Sequence, residues 1–452
     1  MAADKIIFER KIYSKLLEWK EESDGKTALL IEGARRIGKS TIAEEFAQNE
    51  YESYILIDFS NASQQTIDFF AGRLILDDFF SHIQFEYQTE LIPRKSLIIF
   101  DEVQFCPRAR QAIKHLVADG RFDYLETGSL ISILQNVKDI LIPSEEHAIK
   151  MHPMDFEEFR WALGDHATAN LLRRSIKIGK PLGQATHRKL MRDFRTYILV
   201  GGMPQAVCTY VSTLNFEKVD KTKRDIIELY ENDFKKLDSA GRIGRLFDNI
   251  PSQLKGKQTR YKPYAVIDNL TSTSEDTLMS GLEESMTVNM CYHTADPAKG
   301  LAMDYQLDIF KIYTADTGIF VTLAFKDKDF TDNEIYRKLL SDKLSTNLGY
   351  VYENMAAQIL TALGRKLFYY TFKVEDSEHT YEIDFLISDK DKIDPIEIKS
   401  SNYTTHASLS QFCKKYHAKV RIPFLFYPKD INREDNVKYL PIYMLPFIDE
   451  IL

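Results

Sequence analysis

The chain is poor in cysteine: Cys106, Cys208, Cys291 and Cys413 are the four in 452 residues. They are widely scattered, so neither a disulfide framework nor a cysteine metal site is written into the sequence, and a reducing cytoplasm is the expected compartment. Long apolar runs are missing too. None approaches the ~20 residues that span a bilayer. Met1-Ala2-Ala3-Asp4-Lys5 lacks the apolar core of a signal peptide, so no membrane partner is expected. Positive charge is not in excess: 59 Lys and Arg stand against 67 Asp and Glu, a net −8. That excludes a global basic field for nucleic acid but leaves room for a local basic patch. The chain has no internal repeat and no long low-complexity tract.

What is present fits a globular protein: 44% hydrophobic and 28% charged residues. The length exceeds one ordinary core, and two or three domains are expected. The 24 Tyr and 28 Phe are assigned mainly to cores. Residues 4–24 read as a leading helix, with Ile12, Leu16 and Trp19 partly periodic. Residues 25–160 alternate strand and helix signals. A helix is expected over 153–161 with Pro153 near its first turn. Residues 165–240 read as mainly helical, broken by the turn Gly201-Gly202-Met203-Pro204. Segment 256–300 is polar, and Thr271-Ser272-Thr273-Ser274 reads as a loop.

Gly33-Ala34-Arg35-Arg36-Ile37-Gly38-Lys39-Ser40-Thr41 matches G-x-x-x-x-G-K-[ST]. The apolar run Ala28-Leu29-Leu30-Ile31 precedes it as a strand, and Ser40–Gln48 follows as a helix. Strand, glycine loop and helix together make a phosphate-binding loop. Glycines let the backbone wrap phosphates, and N–H groups at the helix start bind anionic oxygen. Lys39 would reach the β- and γ-phosphates, and the Ser40 hydroxyl would hold Mg2+.

Leu97-Ile98-Ile99-Phe100-Asp101-Glu102 reads as a buried parallel strand ending in two acids. In α/β sheets ligands bind at that end. Asp101 is expected to bind Mg2+ through water, and Glu102 to orient the attacking water. Further strands are expected at Ile55–Phe59 and Tyr124–Ser129, where Ser129 or Thr127 would lie beside the γ-phosphate.

Near the C-terminus, Tyr381–Ile387 and Pro395-Ile396-Glu397-Ile398-Lys399-Ser400 read as two strands of a hairpin. Alternation puts Glu397 and Lys399 on one face, and the hairpin brings Asp384 to the same side. Asp384 and Glu397 could share a divalent metal, with Lys399 polarising the attacking water or stabilising phosphate charge. Glu353, on a helix expected over 349–363, would be a further acid. On the residues alone, a surface hairpin with cross-strand ion pairs explains the same pattern.

These segments, together with Phe100-Asp101-Glu102-Val103-Gln104, Thr127-Gly128-Ser129, Gly201-Gly202-Met203-Pro204, Lys311-Ile312-Tyr313, Asp316-Thr317-Gly318, Glu353-Asn354, Glu382-Ile383-Asp384-Phe385 and Ile396-Glu397-Ile398-Lys399-Ser400, recur in order over nearly the whole chain. The set resembles the prokaryotic AAA-type P-loop ATPases with a C-terminal DUF4143 domain. The resemblance implies an α/β architecture in three parts. A parallel-sheet P-loop NTPase of AAA type is expected over 1–160, a helical and winged-helix-like region over 161–325, and a domain like the PD-(D/E)xK restriction endonucleases over 326–452. It implies ATP and Mg2+ as cofactors, held by the loop from Gly33 to Thr41 (Ala34, Arg35, Arg36, Ile37, Gly38, Lys39 and Ser40 between them), by Asp101 and Glu102, and by Ser129. It implies a catalytic role for Lys39, Glu102, Asp384, Glu397 and Lys399, and metal contacts from Ser40, Asp101, Glu353, Asp384 and Glu397. Partners implied are ATP and ADP, DNA, and further copies of the chain.

No arginine finger is assigned; Arg35 and Arg36 lie in the loop, and Arg242 and Arg245 in a basic stretch. Three readings follow. One is a Mg-ATPase acting on nucleic acid or protein. A second is an ATP-regulated metal-dependent DNase. The third is a non-enzymatic ATP switch that binds a protein partner.

Overall fold

A computed structural model describes residues 6–128, 144–256, 258–340, 348–374, 379–389, 391–401, 406–434 and 436–452. The chain divides into two compact units, residues 1–152 with 284–286, and residues 153–283 with 287–452.

The first unit is built on five parallel strands: β1 Ala28–Glu32, β2 Ser53–Asp58, β3 Ser96–Asp101, β4 Asp123–Gly128 and β5 Glu146–Lys150. Their order is β2-β3-β4-β1-β5, so β1 sits inside the sheet. The apolar runs of β1 and β3 are buried on both faces, as strands covered by helices must be. Alternate residues of neighbouring strands (Leu30, Ile57, Phe100, Tyr124) join Phe59, Phe70, Phe79 and Phe80 in one core. Each such side chain contributes about 1.5–3 kcal/mol by leaving water. The helix Lys39–Glu50 buries Ile42, Ala43, Phe46 and Ala47, a helical stripe. The leading helix runs Ile12–Ser23, and its Tyr13 and Trp19 rings meet Phe46 with centroids 5.6 and 6.5 Å apart. This sheet and its covering helices are the α/β fold of a P-loop NTPase.

The second unit carries an eight-stranded mixed sheet. Its strands are β6 Val288–Thr294, β7 Tyr305–Thr314, β8 Leu367–Lys373, β9 Thr380–Asp389, β10 Lys392–Ile398, β11 Phe424–Tyr427, β12 Asn432–Glu434 and β13 Val437–Pro441, in the order β12-β13-β11-β10-β9-β8-β6-β7. The β6–β7 hairpin, from the stretch expected to be winged-helix-like, is thus part of the same sheet as β9 and β10. β6 pairs in parallel with β8, so the sheet joins residues on either side of 325.

Two local readings need correcting. Residues 271–274 are not a loop: a helix runs Ser272–Glu284, and the Thr271 hydroxyl accepts from the Ser274 N–H at 3.3 Å, as a helix-capping side chain does. The helix expected from Pro153 instead spans Phe156–Ala162. It starts there because Asp155 and Glu158 form a reciprocal capping box.

The two glycine motifs meet each other. A side chain at Gly202 would lie 2.0 Å from the Met154 carbonyl oxygen, and one at Gly318 2.5 Å from that of Val200. Asp316 caps the helix Thr317–Leu323 and accepts from the Gly202 N–H. The fully buried Lys223 donates to the carbonyls of Leu199 (2.6 Å) and Gly318 (3.0 Å) and to the Tyr336 hydroxyl (2.8 Å). These motifs are therefore packing and backbone-satisfaction devices.

Candidate functional site

The phosphate loop leaves β1 at Gly33. No side chain fits there: a Cβ would sit 2.3 Å from Ile37 Cδ1 and 2.6 Å from the Met151 carbonyl. Arg36 (φ 69°) and Gly38 (φ 95°) take left-handed backbone, which turns the loop into the start of the helix Lys39–Glu50. Successive N–H groups in such a turn form an anion-binding concavity. Lys39 is buried, and its ammonium donates to the Gly33 and Ala34 carbonyls at 3.0 Å each. Arg35 is half-buried and Arg36 exposed. Ala34 and Ile37 are buried, Thr41 is half-buried, and Ile37 offers its carbonyl to Arg10 at 3.0 Å.

Behind the loop, the Ser40 hydroxyl donates to Asp101 Oδ1 at 2.7 Å, and the Thr127 hydroxyl donates to the same oxygen. The Glu102 N–H donates to Thr127 Oγ1 at 3.3 Å. Three strand ends, β1, β3 and β4, thus deliver Ser40, Asp101, Glu102 and Thr127 to one spot. Hydroxyl and carboxylate oxygen side by side are the hard donors that Mg2+ takes, so the residues fit that ion. Ser129 lies outside the described residues.

Sequence reasoning missed two residues here. Arg10 clamps the site's frame, its other nitrogen donating to the His152 carbonyl at 2.7 Å. Gln104 Nε2 donates to the Glu102 carboxylate, which sits on left-handed backbone (φ 53°) between β3 and a short 3-10 turn, Val103–Phe105. The Gln104 position was legible within the strand-end motif; nothing in the sequence marks Arg10.

The C-terminal acids also converge. Phe385 faces Ile396 across antiparallel β9 and β10, which brings Asp384 beside Glu397. Asp384 Oδ2 accepts the Ile398 N–H at 2.7 Å. Lys399 Nζ lies 2.5 Å from Glu397 Oε1, so the two do share a face. β9 and β10 are interior strands and their acids are buried, so this is not a surface hairpin. Glu353, half-buried on the helix Gly349–Ala362, joins them.

Burial, reinforced by the Asp384 charge, lifts Glu397 to about 8 and Glu353 to about 7. Asp384 is raised by burial too, with Lys399 opposing. Burial alone would lower the Lys399 ammonium, but Glu397 and Asp384 outweigh it and raise it. A second lysine, Lys311 of β7, is buried with its ammonium 2.5 Å from Glu382 Oε1. Its surrounding segment, Lys311-Ile312-Tyr313, carries no spacing that would assign this lysine a role.

Among the described residues, no three His, Cys, Asp or Glu side chains converge as a metal-ligand group, so Glu353, Asp384 and Glu397 do not form one in this geometry. The donor chemistry still favours a cation: Glu397 Oε2 is buried with no hydrogen-bond partner, and four carboxylates face two lysines. A cavity of about 360 Å³ opens beside the cluster, with Lys311, Glu353 and Glu382 in its wall.

A family model described as an AAA domain matches residues 25–160, the stretch that holds the loop, Asp101 and Glu102. A domain of unknown function, DUF8612, matches residues 191–329, and another, DUF4143, matches residues 348–445. The AAA match thus precedes the DUF4143 match, whose span includes Glu353, Asp384, Glu397 and Lys399. No curated protein matches the chain. Solved structures align at low similarity. A Walker-type ATPase of Pyrococcus abyssi is 15% identical over 70% of this chain and 96% of its own, with a TM-score of 0.42. The RuvB Holliday junction branch migration motor of Thermotoga maritima is 12% identical over 62% and 89%, with a TM-score of 0.29. No helix among the described residues is long and apolar enough to cross a membrane.

Proposed function

We propose that the protein is a Mg2+-dependent ATPase of AAA type whose nucleotide state governs a nuclease-like C-terminal unit acting on nucleic acid. The observation that carries the ATPase reading is the Ser40–Asp101 hydrogen bond of 2.7 Å beneath a glycine loop with Lys39 at its helix start. The AAA match over residues 25–160 supports it.

In this reading the N–H groups of Gly33–Thr41 bind the phosphates, and Lys39 exchanges its carbonyl partners for phosphate oxygens. Ser40 and Asp101 would hold Mg2+, which would supply positive charge to the phosphates when bound. Glu102 orients a water whose oxygen adds to the γ-phosphorus. The bond from that phosphorus to the bridging oxygen breaks, ADP and phosphate leave, and the water's proton passes by way of Glu102 to solvent.

In the C-terminal unit, Asp384 and Glu397 would hold a divalent cation, with Glu353 as a further acid. Lys399 would steady charge on a phosphodiester as water adds to phosphorus and one P–O ester bond breaks, the leaving oxygen taking a proton. Burial and the Asp384 charge disfavour ionised Glu353 and Glu397, and a bound cation would favour the ionised forms.

The test pairs two variants of the full chain. Lys39→Ala should abolish phosphate release from ATP. Normal turnover in that variant would refute the nucleotide-site assignment. Lys399→Ala should abolish Mn2+-dependent nicking of plasmid DNA and leave ATP turnover in place.

A further inference from the structure

We infer that Lys311 and Glu382 are part of the C-terminal centre, a charge pair that sets how tightly Asp384, Glu397 and Glu353 hold a divalent cation. The inference rests on the nuclease-like reading and deepens it by adding to the site a lysine that lies outside the DUF4143 match.

Strand alternation and helix anchoring carry the argument. Glu382 and Asp384 lie two residues apart on β9, so their side chains leave the same face of the sheet. Lys311 reaches Glu382 from β7, the strand at the sheet's edge, and its ammonium lies 2.5 Å from Oε1. The helix Gly349–Ala362 is pinned to the end of that same strand. Asn354 Oδ1 accepts the Thr314 N–H at 2.8 Å, and Asn354 Nδ2 donates to the Thr314 carbonyl at 3.2 Å. Glu353 is the neighbour of Asn354 on this helix, and it lines one cavity together with Lys311 and Glu382.

The setting of Lys311 differs from that of a lysine used for packing. Lys223 serves that purpose, donating to two carbonyls and a hydroxyl. Lys311, 4% exposed, is bound instead to a half-buried carboxylate, and its ammonium lies 5.1 Å from the centre of the Tyr369 ring. Burial opposes its charge, but Glu382, Glu353 and Asp384 outweigh burial and hold it above the ordinary lysine range. When all are ionised, Glu353, Glu382, Asp384 and Glu397 set against Lys311 and Lys399 leave two negative charges, which one divalent cation neutralises. Glu397 Oε2, buried without a hydrogen-bond partner, is an oxygen open to that cation. In so dry a setting one charge more or less alters cation affinity strongly.

The experiment titrates Mn2+ into the nucleotide-free full chain by calorimetry, at one fixed pH and low salt, with Asp384→Asn as the blank for cation bound elsewhere. Lys311→Met removes a positive charge and should bind Mn2+ about tenfold more tightly than wild type, Glu382→Gln about tenfold more weakly, and the chain carrying both changes about as wild type does. Lys311→Arg keeps the charge and should keep the wild-type affinity. A lysine that only packs would lower the melting temperature of Lys311→Met and leave its Mn2+ affinity alone. That result overturns the inference, as does weaker binding by Lys311→Met. Should Lys311→Met fail to fold, Glu382→Gln decides, because glutamine keeps the hydrogen-bond acceptor and removes the charge; wild-type affinity there overturns the inference. Wild type that binds no more Mn2+ than Asp384→Asn overturns the metal-centre reading and the inference with it. Wild type that binds Mn2+ while both single charge variants match it overturns the inference alone.

Discussion

Ser40 and Asp101, 61 positions apart in the chain, are joined by a hydrogen bond of 2.7 Å between hydroxyl and carboxylate. That bond ties the first turn of the loop helix to the end of β3. It makes two local motifs into one site.

Removing either end should disable the proposed ATPase. Ser40→Ala and Asp101→Asn should each lower Mg2+-dependent phosphate release by about a hundredfold, since both act on charge near the transferred phosphoryl group. Steady-state kinetics at several Mg2+ concentrations checks this. An Asp101→Asn chain with half the normal turnover would rule out the metal role.

Gln104 holds the Glu102 carboxylate, so it should act on turnover without acting on binding. Gln104→Ala is expected to lower kcat several-fold and leave KM for ATP unchanged. Glu102→Gln should bind ATP and fail to release phosphate. A rise in KM with normal kcat would instead assign Gln104 to nucleotide binding.

Glu126, fully buried on β4, has its carboxyl raised well above the ordinary 4.5 by burial and by Glu146, which is itself bound to Arg110 at 2.6 and 2.8 Å. The folded state keeps the proton that the unfolded state releases. The stability tied to that proton is complete below 4.5 and falls as pH rises towards the folded value. Glu126→Gln keeps the neutral shape and removes the dependence. Its melting temperature should exceed wild type's by more at about pH 8 than at about pH 5. Equal gains at both pH values would show that Glu126 ionises in the fold.

Glu353, near 7, and Glu397, near 8, are raised by burial and by Asp384. Raising pH through that range strips protons from the candidate ligands. Mn2+ affinity, read by titration calorimetry, should therefore strengthen from about pH 6 to pH 9. Lys399→Ala removes a charge that favours ionised Glu397, so its curve should move to higher pH. A flat profile would separate these acids from metal binding.

Gly202 and Gly318 admit no side chain, with Cβ positions 2.0 and 2.5 Å from carbonyl oxygens. Gly202→Ala should destabilise the second unit by about 3 kcal/mol, as overpacking against fixed backbone does. Thermal unfolding followed by near-UV circular dichroism checks it.

The sequence by itself determined the local chemistry of this protein. The apolar runs of β1 and β3, the glycines at 33 and 38, and the acids at 101 and 102 are each dictated within a few residues. So is the alternation that puts Glu397 and Lys399 on one face. Only the tertiary structure decided the rest. It set the order β2-β3-β4-β1-β5, brought β6 and β7 into the sheet of β9 and β10, and placed Arg10 on the Ile37 carbonyl and Lys311 on Glu382. Periodicity and capping are properties of neighbours in sequence. Strand pairing and buried ion pairs join residues tens of positions apart, so they are fixed only when the whole core closes.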